Sequence, residues 1–248
     1  MTASSSLDGR VIALAGAGGS LGPIVARALA DAGATVALAD RTQEHLDPLV
    51  AQLGLPAERV HAQALNLLDA DETAAWAATL TERFGRVDGL VHAVGGWRGG
   101  KPIAEAPAED WTFLEGLLIR TAQNTSRAFH DALASSGRGR FVLVSAKQAV
   151  RPTGSNAAYA AAKAAAEAWT YALAEEFGGL DVSAGGARPT ANVVAINALV
   201  TPRMREQSPE KAFLTFTDAG EVADAIVYLL GDAARKVNGQ RLALYSAS

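Results

Sequence analysis

The sequence predicts a single α/β domain with a doubly wound parallel sheet of about seven strands and helices on both faces. Short β-branched apolar runs alternate with longer amphipathic stretches rich in Ala and Leu, which is typical of parallel strands joined by helices. The length of 248 residues suits one such domain, and no linker or internal repeat interrupts the pattern. We therefore expect residues 1–248 to form one folding unit.

The element boundaries follow from the apolar periodicity and from the Gly and Pro residues that interrupt it. The predicted strands are 11–15, 35–39, 60–65, 89–94, 140–144, 193–196 and 241–245. The predicted helices are 23–31, 44–53, 71–84, 111–134, 155–177 and 220–230. Residues 1–8 are expected to be a flexible N-terminus.

The composition excludes several classes of function. A net charge of −4 leaves no basic surface for nucleic acid, and the absence of Cys excludes disulfides and thiolate chemistry. No two of the four histidines have the spacing of metal ligands, so no metal is expected. We find neither a signal peptide nor an apolar run of membrane-spanning length, so a cytoplasmic protein is expected.

A glycine-rich turn follows the first predicted strand and opens the first helix. Glycine allows a sharp turn and lets the backbone approach a pyrophosphate without a Cβ in the way, while the helix N-terminus offers free N–H groups. Such a turn alone is weak evidence, because any tight strand–helix connection can use glycine. The candidate phosphate-binding residues are Gly16, Gly19, Ser20, Leu21 and Gly22.

Asp40 strengthens the case for a dinucleotide. It ends the second strand, 24 residues after Gly16, where a carboxylate can accept hydrogen bonds from both ribose hydroxyls of an adenosine. A carboxylate there repels a 2′-phosphate and so favours NAD over NADP. Arg41 opposes this preference, because a guanidinium can neutralise that phosphate, and NADP stays an option. The alternative is a surface Asp-Arg turn with no ligand.

Tyr159 and Lys163 lie four residues apart in an Ala-rich helical run, which places a phenol and an ammonium on the same helix face. The free pKa of tyrosine is about 10, and a neighbouring ammonium together with a nicotinamide cation is expected to lower it toward neutral pH, so that Tyr159 can act as an acid or base. The alternative is an ordinary packing helix with a chance Tyr and Lys.

Together with the glycine turn, this pair resembles the short-chain dehydrogenase/reductase family over nearly the whole chain. The resemblance implies a Rossmann-type fold and a hydride transfer between NAD(P) and a carbonyl, alcohol or related small-molecule substrate. It implies that Tyr159 is the catalytic acid/base, that Lys163 binds the nicotinamide ribose, and that the protein is a homodimer or homotetramer. It also implies that residues 202–217 form a mobile lid over the substrate. Further cofactor contacts implied by it are Asn66, Leu67, Ala93, Val94, Gly95 and Thr201.

Two departures from the family pattern concern the chemistry itself. The catalytic serine of the family falls at Ala146, and its catalytic asparagine falls at Leu118. Ser145 is the nearest candidate to replace the lost hydroxyl, although a regular strand directs it to the other face. Lys147 is a second candidate donor. Losing one donor to the substrate oxygen typically costs about 10²- to 10³-fold in rate.

These departures leave two hypotheses about the function open. In the first, the protein is an NAD(P)-dependent oxidoreductase. In the second, it binds the cofactor but has lost or changed its chemistry, and acts as a scaffold, a subunit, a lyase or an isomerase. A methyltransferase with a similar glycine turn gives no reason for Tyr159 and Lys163.

Overall fold

The computed structural model describes residues 6–181 and 186–245. Seven parallel strands form the main sheet, in the order β3 (Val60–Ala64), β2 (Thr35–Asp40), β1 (Val11–Ala15), β4 (Gly89–His92), β5 (Arg140–Ala146), β6 (Thr190–Ile196) and β9 (Arg241–Ala243). The order reverses between β1 and β4, which is the point where ligands bind in open sheets of this kind, outside the carboxyl ends of the strands. The predicted doubly wound, Rossmann-type fold is confirmed.

The strands are β1 (Val11–Ala15), β2 (Thr35–Asp40), β3 (Val60–Ala64), β4 (Gly89–His92), β5 (Arg140–Ala146), β6 (Thr190–Ile196), β7 (Leu199–Val200), β8 (Thr217–Asp218) and β9 (Arg241–Ala243). The helices are α1 (Gly22–Asp31), α2 (Gln43–Leu53), α3 (Ala70–Phe84), α4 (Ala108–Leu114), α5 (Thr121–Ser135), α6 (Ala157–Gly179), α7 (Pro202–Gln207) and α8 (Ala219–Leu230). A π-helical turn, Glu115–Arg120, joins α4 to α5.

Alternating side chains of the strands pack on opposite faces of the sheet, as the two-residue period of a strand requires. On one face, Leu14 and Val142 lie in a core cluster with α1, α2 and α8. On the other, Leu143 and Phe141 lie in a second cluster with α3, α5 and α6. Helices therefore cover both faces, and the carboxyl edge of the strands remains as the place for a site.

Several boundaries differ from the predicted ones. β4 ends at His92 rather than at 94, and β5 continues to Ala146, because β6 pairs with it through Ile196. The predicted helix 111–134 begins earlier and is divided by the π-helical turn. In the predicted flexible N-terminus, residues 1–5 lie outside the described part, but Leu7 is fully buried and donates its N–H to Ala32 O, so it is fixed in place.

A charged cluster closes the amino edge of the sheet, opposite the candidate site. Asp88 is fully buried and accepts hydrogen bonds from Val11 N, Ser136 Oγ, Arg86 and Arg138. These donors hold the pKa of Asp88 below its ordinary value although burial works to raise it. The carboxylate thus connects the start of β1 with the segments that precede β4 and β5.

Within the described ranges, no helix is long and apolar enough to cross a membrane. The same residues contain no cluster of three His, Asp or Glu side chains that could hold a metal ion.

Candidate active site

The glycine turn lies against the end of β4. A Cβ on Gly16 would stand 2.9 Å from Val94 N, which is too close, and the φ of Gly16 is 85°, which other residues rarely adopt. This position therefore requires glycine for both steric and conformational reasons. A Cβ on Gly22 would stand 2.1 Å from Ala17 O. Gly19 and Ser20 are exposed, and no side chain caps the N-terminus of α1 at Leu21. The turn therefore offers a glycine cradle and an uncapped helix N-terminus, which fit a pyrophosphate.

Asp40 lies beside this turn at the carboxyl end of β2. Gly18 N donates to Asp40 Oδ2 at 3.0 Å, and the carboxylate side chain is 15% exposed. Arg41 is exposed, and no hydrogen bond or ion pair of its side chain occurs among the described residues. The acid predicted to bind the ribose is therefore already fixed next to the predicted phosphate turn.

The other predicted cofactor contacts surround the same edge. Ala93 N donates to Ala15 O at 2.9 Å, and Ala93 and Val94 are half-buried while Gly95 is exposed. Asn66 is exposed and its Oδ1 accepts from Leu68 N, whereas Leu67 is buried. The structure brings these residues to the ends of β1, β3 and β4, where an adenosine and its phosphates would lie.

Tyr159 stands at the start of α6 and packs against a small apolar cluster that includes Leu114 and Leu118. Burial raises the pKa of Tyr159 to about 12. In the free protein, desolvation by the apolar neighbours dominates this pKa, and the lowering expected from Lys163 together with a nicotinamide cation stays a prediction for the cofactor-bound protein. At neutral pH the side chain is a protonated phenol, which is the form that donates a proton.

Lys163 lies one turn further along α6 and is 5% exposed. Its Nζ donates to Val144 O at 2.9 Å, near the carboxyl end of β5. Burial lowers the pKa of Lys163 to about 8, while the nearby Glu167 carboxylate works to raise it. The ammonium is the predominant form at pH 7, and it keeps two N–H donors beyond the one that it gives to Val144 O.

Ser145 and Ala146 both lie inside β5, with exposures of 2% each. Successive side chains of a strand point to opposite faces of the sheet, so Ser145 lies on the same face of β5 as Leu143 and on the other face from Val144. The Leu143 face packs toward α6, the helix that carries Tyr159 and Lys163. The Ser145 hydroxyl is buried and has no hydrogen-bond partner among residues 6–181 and 186–245. Ala146 offers only its carbonyl, which accepts from Arg241 Nη2 at 3.0 Å.

Leu118 stands where the family resemblance expects an asparagine, and its side chain packs in an apolar cluster. It is 1% exposed, lies in the π-helical turn and belongs to the same small cluster as Ala162, against which Tyr159 packs. Asn124, the nearest asparagine in the sequence, donates to Leu67 O at 3.0 Å instead. It holds the segment after β3 and is not a substitute for the asparagine.

His92 is a buried polar residue whose role sequence reasoning missed. It ends β4, is 1% exposed, and its Nδ1 and Nε2 lie 3.0 Å and 3.3 Å from the hydroxyls of Thr125 and Thr121. Burial, with a smaller effect of the Lys163 charge, lowers its pKa to about 3, so the imidazole is neutral. The threonines four residues apart on α5 were the signal that could have found it.

A second unpredicted feature is a buried ion pair behind Lys163. Arg241 Nε donates to Glu167 Oε2 at 2.9 Å, and the Glu167 side chain is 4% exposed. Arg241 also donates to Tyr245 Oη at 2.6 Å. The pair therefore joins α6 to the last strand and fixes the carbonyl of Ala146 at the edge of the site.

Thr201 follows β6 and caps α7 by accepting from Met204 N at 3.3 Å. The predicted lid 202–217 is tied at both ends, because β7 and β8 pair with each other. Between them Phe213 is 7% exposed with a φ of 49°, which is unusual for a bulky side chain, whereas Leu214 is 91% exposed. The segment thus has fixed ends and an exposed apolar tip.

Comparisons with known proteins identify the family of this chain. Residues 16–244 match the family model described as "Enoyl-(Acyl carrier protein) reductase". The D-threitol dehydrogenase of Mycolicibacterium smegmatis is 29% identical over 240 residues, which are 96% of this chain and 92% of that protein. The 3-oxoacyl-[acyl-carrier-protein] reductase FabG of Thermotoga maritima is 29% identical over 244 residues, 94% of this chain and 95% of that protein.

The fold has equally extensive relatives among solved structures. A short-chain dehydrogenase/reductase of Brucella melitensis, titled glucose/ribitol dehydrogenase, superposes with a TM-score of 0.83 at 26% identity, covering 98% of this chain and 99% of that one. The family model alone spans most of the 248 residues. The chain belongs to the short-chain dehydrogenase/reductase family of oxidoreductases.

Proposed function

We propose that this protein reduces a carbonyl group of a small molecule with a nicotinamide dinucleotide, with Tyr159 as the proton donor. The observation that carries the proposal is the position of Tyr159 and Lys163 on one face of α6, with the Lys163 ammonium 2.9 Å from Val144 O at the edge where the glycine turn and Asp40 meet. When bound, the dinucleotide supplies the hydride.

Tyr159 is suited to the reductive direction. Its pKa of about 12 keeps the phenol protonated, so its Oη can give a proton to the carbonyl oxygen as the carbon gains hydride. The oxygen becomes a hydroxyl, and the tyrosinate left behind takes a proton from solvent. Lys163 stabilises this tyrosinate, because an ammonium one helix turn away favours the negative form.

Lys163 would also bind the nicotinamide ribose through its two remaining N–H donors. Ser145 would donate a hydrogen bond to the substrate oxygen, because Ala146 has no hydroxyl that could do so. The support for Ser145 is that its hydroxyl is buried without a partner in the described structure and follows Val144, the residue that Lys163 holds. Ser145→Ala should then lower kcat about 10²- to 10³-fold.

Asp40 supports NAD(H) as the preferred dinucleotide. The carboxylate is fixed by Gly18 N, and a 2′-phosphate would meet a negative charge there. Gly16, Gly19, Ser20, Leu21 and Gly22 would bind the pyrophosphate, with Asn66, Leu67, Ala93, Val94, Gly95 and Thr201 along the rest of the dinucleotide. Arg41 keeps NADP(H) as the second option.

The test is a panel of aldehydes and ketones assayed by loss of the reduced nicotinamide absorbance. We expect at least one carbonyl to be turned over, and Tyr159→Phe to lower its kcat about 10²- to 10⁴-fold without changing the affinity for NADH. Tyr228→Phe, which removes the same hydroxyl from an exposed tyrosine on α8, is the matched control. Equal turnover by wild type and Tyr159→Phe would reject the proposed role of Tyr159.

One observation favours a second function. The side chains of Ala146 and Leu118 are both buried and apolar, so neither can donate a hydrogen bond to a substrate or to a water. A cofactor-binding protein without redox turnover would have this site. Binding of NADH with no turnover of any aldehyde or ketone in the panel would favour that second function.

We also propose a homodimer that uses the outer face of α5 and α6. A groove of about 420 Å³ lies there, lined by Ser126, Arg127, His130, Asp131, Trp169, Ala172, Leu173 and Glu176. Trp169 Nε1 donates to Ser126 Oγ at 2.8 Å, which fixes the indole in this groove. Light scattering should give the mass of a dimer or tetramer, and Ala172→Arg should give a monomer. A cytoplasmic location stays a prediction of the sequence.

A further inference from the structure

The carboxylate of Asp40 has a second partner besides the glycine turn. His45 Nδ1 lies 3.0 Å from Asp40 Oδ1, while Gly18 N donates to Oδ2. The His45 side chain is 58% exposed and the Asp40 side chain 15% exposed. Each oxygen of the carboxylate is therefore engaged, and the partner on one side is a titratable group in contact with solvent.

His45 is held in this position by the backbone and by close packing. It lies in the first turn of α2, where its N–H donates to Thr42 O at 3.3 Å. A Cβ on Gly18 would stand 2.5 Å from His45 Cβ and 2.9 Å from Asp40 Cγ. The glycine turn, the carboxylate and the imidazole thus meet at one point, which is where the adenosine ribose of a dinucleotide would lie.

The charged groups around this point are mostly acidic. In the neighbouring described segments they are Asp40 and Arg41 at the end of β2, and Glu44 and Asp47 on α2. Asp47 accepts from the Gln43 amide at 2.7 Å. With a neutral imidazole these four groups carry a net charge of −2, which disfavours a 2′-phosphate. An imidazolium at His45 makes the net charge less negative by one.

We propose that His45 sets the preference between unphosphorylated and 2′-phosphorylated dinucleotides and makes it depend on pH. The neutral imidazole orients the Asp40 carboxylate, which accepts the ribose hydroxyls and repels a 2′-phosphate. The imidazolium neutralises that carboxylate and, with Arg41, attracts the phosphate. This inference rests on the proposed function, in that the chain binds a nicotinamide dinucleotide beside Asp40.

The expected effect is moderate because the site is open to solvent. One added charge about 6 Å from a phosphate, at an effective dielectric of about 40 to 80, changes an affinity roughly threefold to tenfold. The phosphate itself titrates with a second pKa near 6, which adds a pH dependence of its own. A variant that lacks only the titrating imidazole is therefore needed as a reference.

The experiment is calorimetric titration of NAD and NADP at pH 6 and pH 8 into wild type, His45→Gln and His45→Lys. We expect the ratio of the NADP Kd to the NAD Kd to fall threefold to tenfold more between pH 8 and pH 6 in wild type than in His45→Gln. In His45→Lys, the permanent charge should keep the ratio low at both pH values.

Three results would overturn the proposal. One is an identical pH dependence of this ratio in wild type and His45→Gln. Another is a ratio in His45→Lys that stays at the pH 8 value of wild type. No binding of either dinucleotide at either pH would reject the proposed function itself, and the role of His45 with it. Thermal unfolding of each variant checks that it is folded before the titrations are compared.

Discussion

Replacement of Lys163 by Met should stabilise the protein at neutral pH while it removes activity. Lys163 is 5% exposed, and burial lowers its pKa from an ordinary 10.5 to about 8. At 1.36 kcal/mol per pH unit, an ammonium in this place costs about 3 kcal/mol at pH 7. Met has a similar length and no charge, but it leaves Val144 O without its donor, which costs about 1 to 2 kcal/mol. The net gain is about 1 to 2 kcal/mol.

The lowered pKa of Lys163 also determines how the unfolding free energy changes with pH. Between pH 8 and 10.5 the unfolded chain keeps a proton on Lys163 that the folded chain has lost, so the unfolded state binds more protons. The unfolding free energy of wild type therefore rises with pH across this window, through this group. The Lys163→Met variant lacks this rise, so its advantage over wild type should shrink as the pH approaches 10.5.

The assay is urea-induced unfolding of both proteins at pH 7 and at pH 9.5, with turnover measured on the same preparations. We expect the midpoint of Lys163→Met to be higher at pH 7, and the difference to narrow at pH 9.5. A variant that is less stable at pH 7, with the same pH dependence as wild type, would refute the argument that Lys163 is held charged at a cost for function.

Three further predictions concern the fold and the missing hydroxyl. Asp88→Asn should lower the unfolding free energy by about 3 to 5 kcal/mol, because it leaves Arg86 and its neighbours without their buried carboxylate; chemical unfolding checks this. Gly22→Ala should prevent folding or dinucleotide binding, because its Cβ would meet backbone at 2.1 Å, whereas Gly154→Ala, with open space around it, should change Tm little. Ala146→Ser should leave kcat about unchanged, because Ser145 already supplies the hydrogen bond to the substrate oxygen in the proposed site and residue 146 lies on the opposite face of β5; a rise of about 10²-fold in kcat would contradict the role of Ser145.

The fold was predictable from local pattern. The glycine turn, the two-residue alternation of the strands and the Ala-rich helices all act over a few residues, and they gave the strand sequence from Val11 to Ala243. The misplaced boundaries have a different origin. β5 extends to Ala146 because β6 pairs with it, and the helix after Trp111 is divided at Glu115–Arg120 by packing around Leu118. Such tertiary effects have no local signature.

The candidate site was predictable in its residues more than in its electrostatics. Tyr159, Lys163 and Asp40 follow from spacing and order, because chemistry needs them at fixed separations along the chain. The direction of the Tyr159 pKa did not follow, since it depends on how completely apolar neighbours desolvate the phenol. His92 was missed because its partners come from α5, some 30 residues later in the chain.

The binding of NADH by the purified protein tests the central claim most directly. Calorimetric titration should give saturable binding to wild type that is at least about tenfold weaker in Asp40→Ala, because that variant loses the charged acceptor of two ribose hydroxyls. No binding of NADH, NAD, NADPH or NADP by wild type would contradict the claim that this site transfers hydride with a nicotinamide dinucleotide.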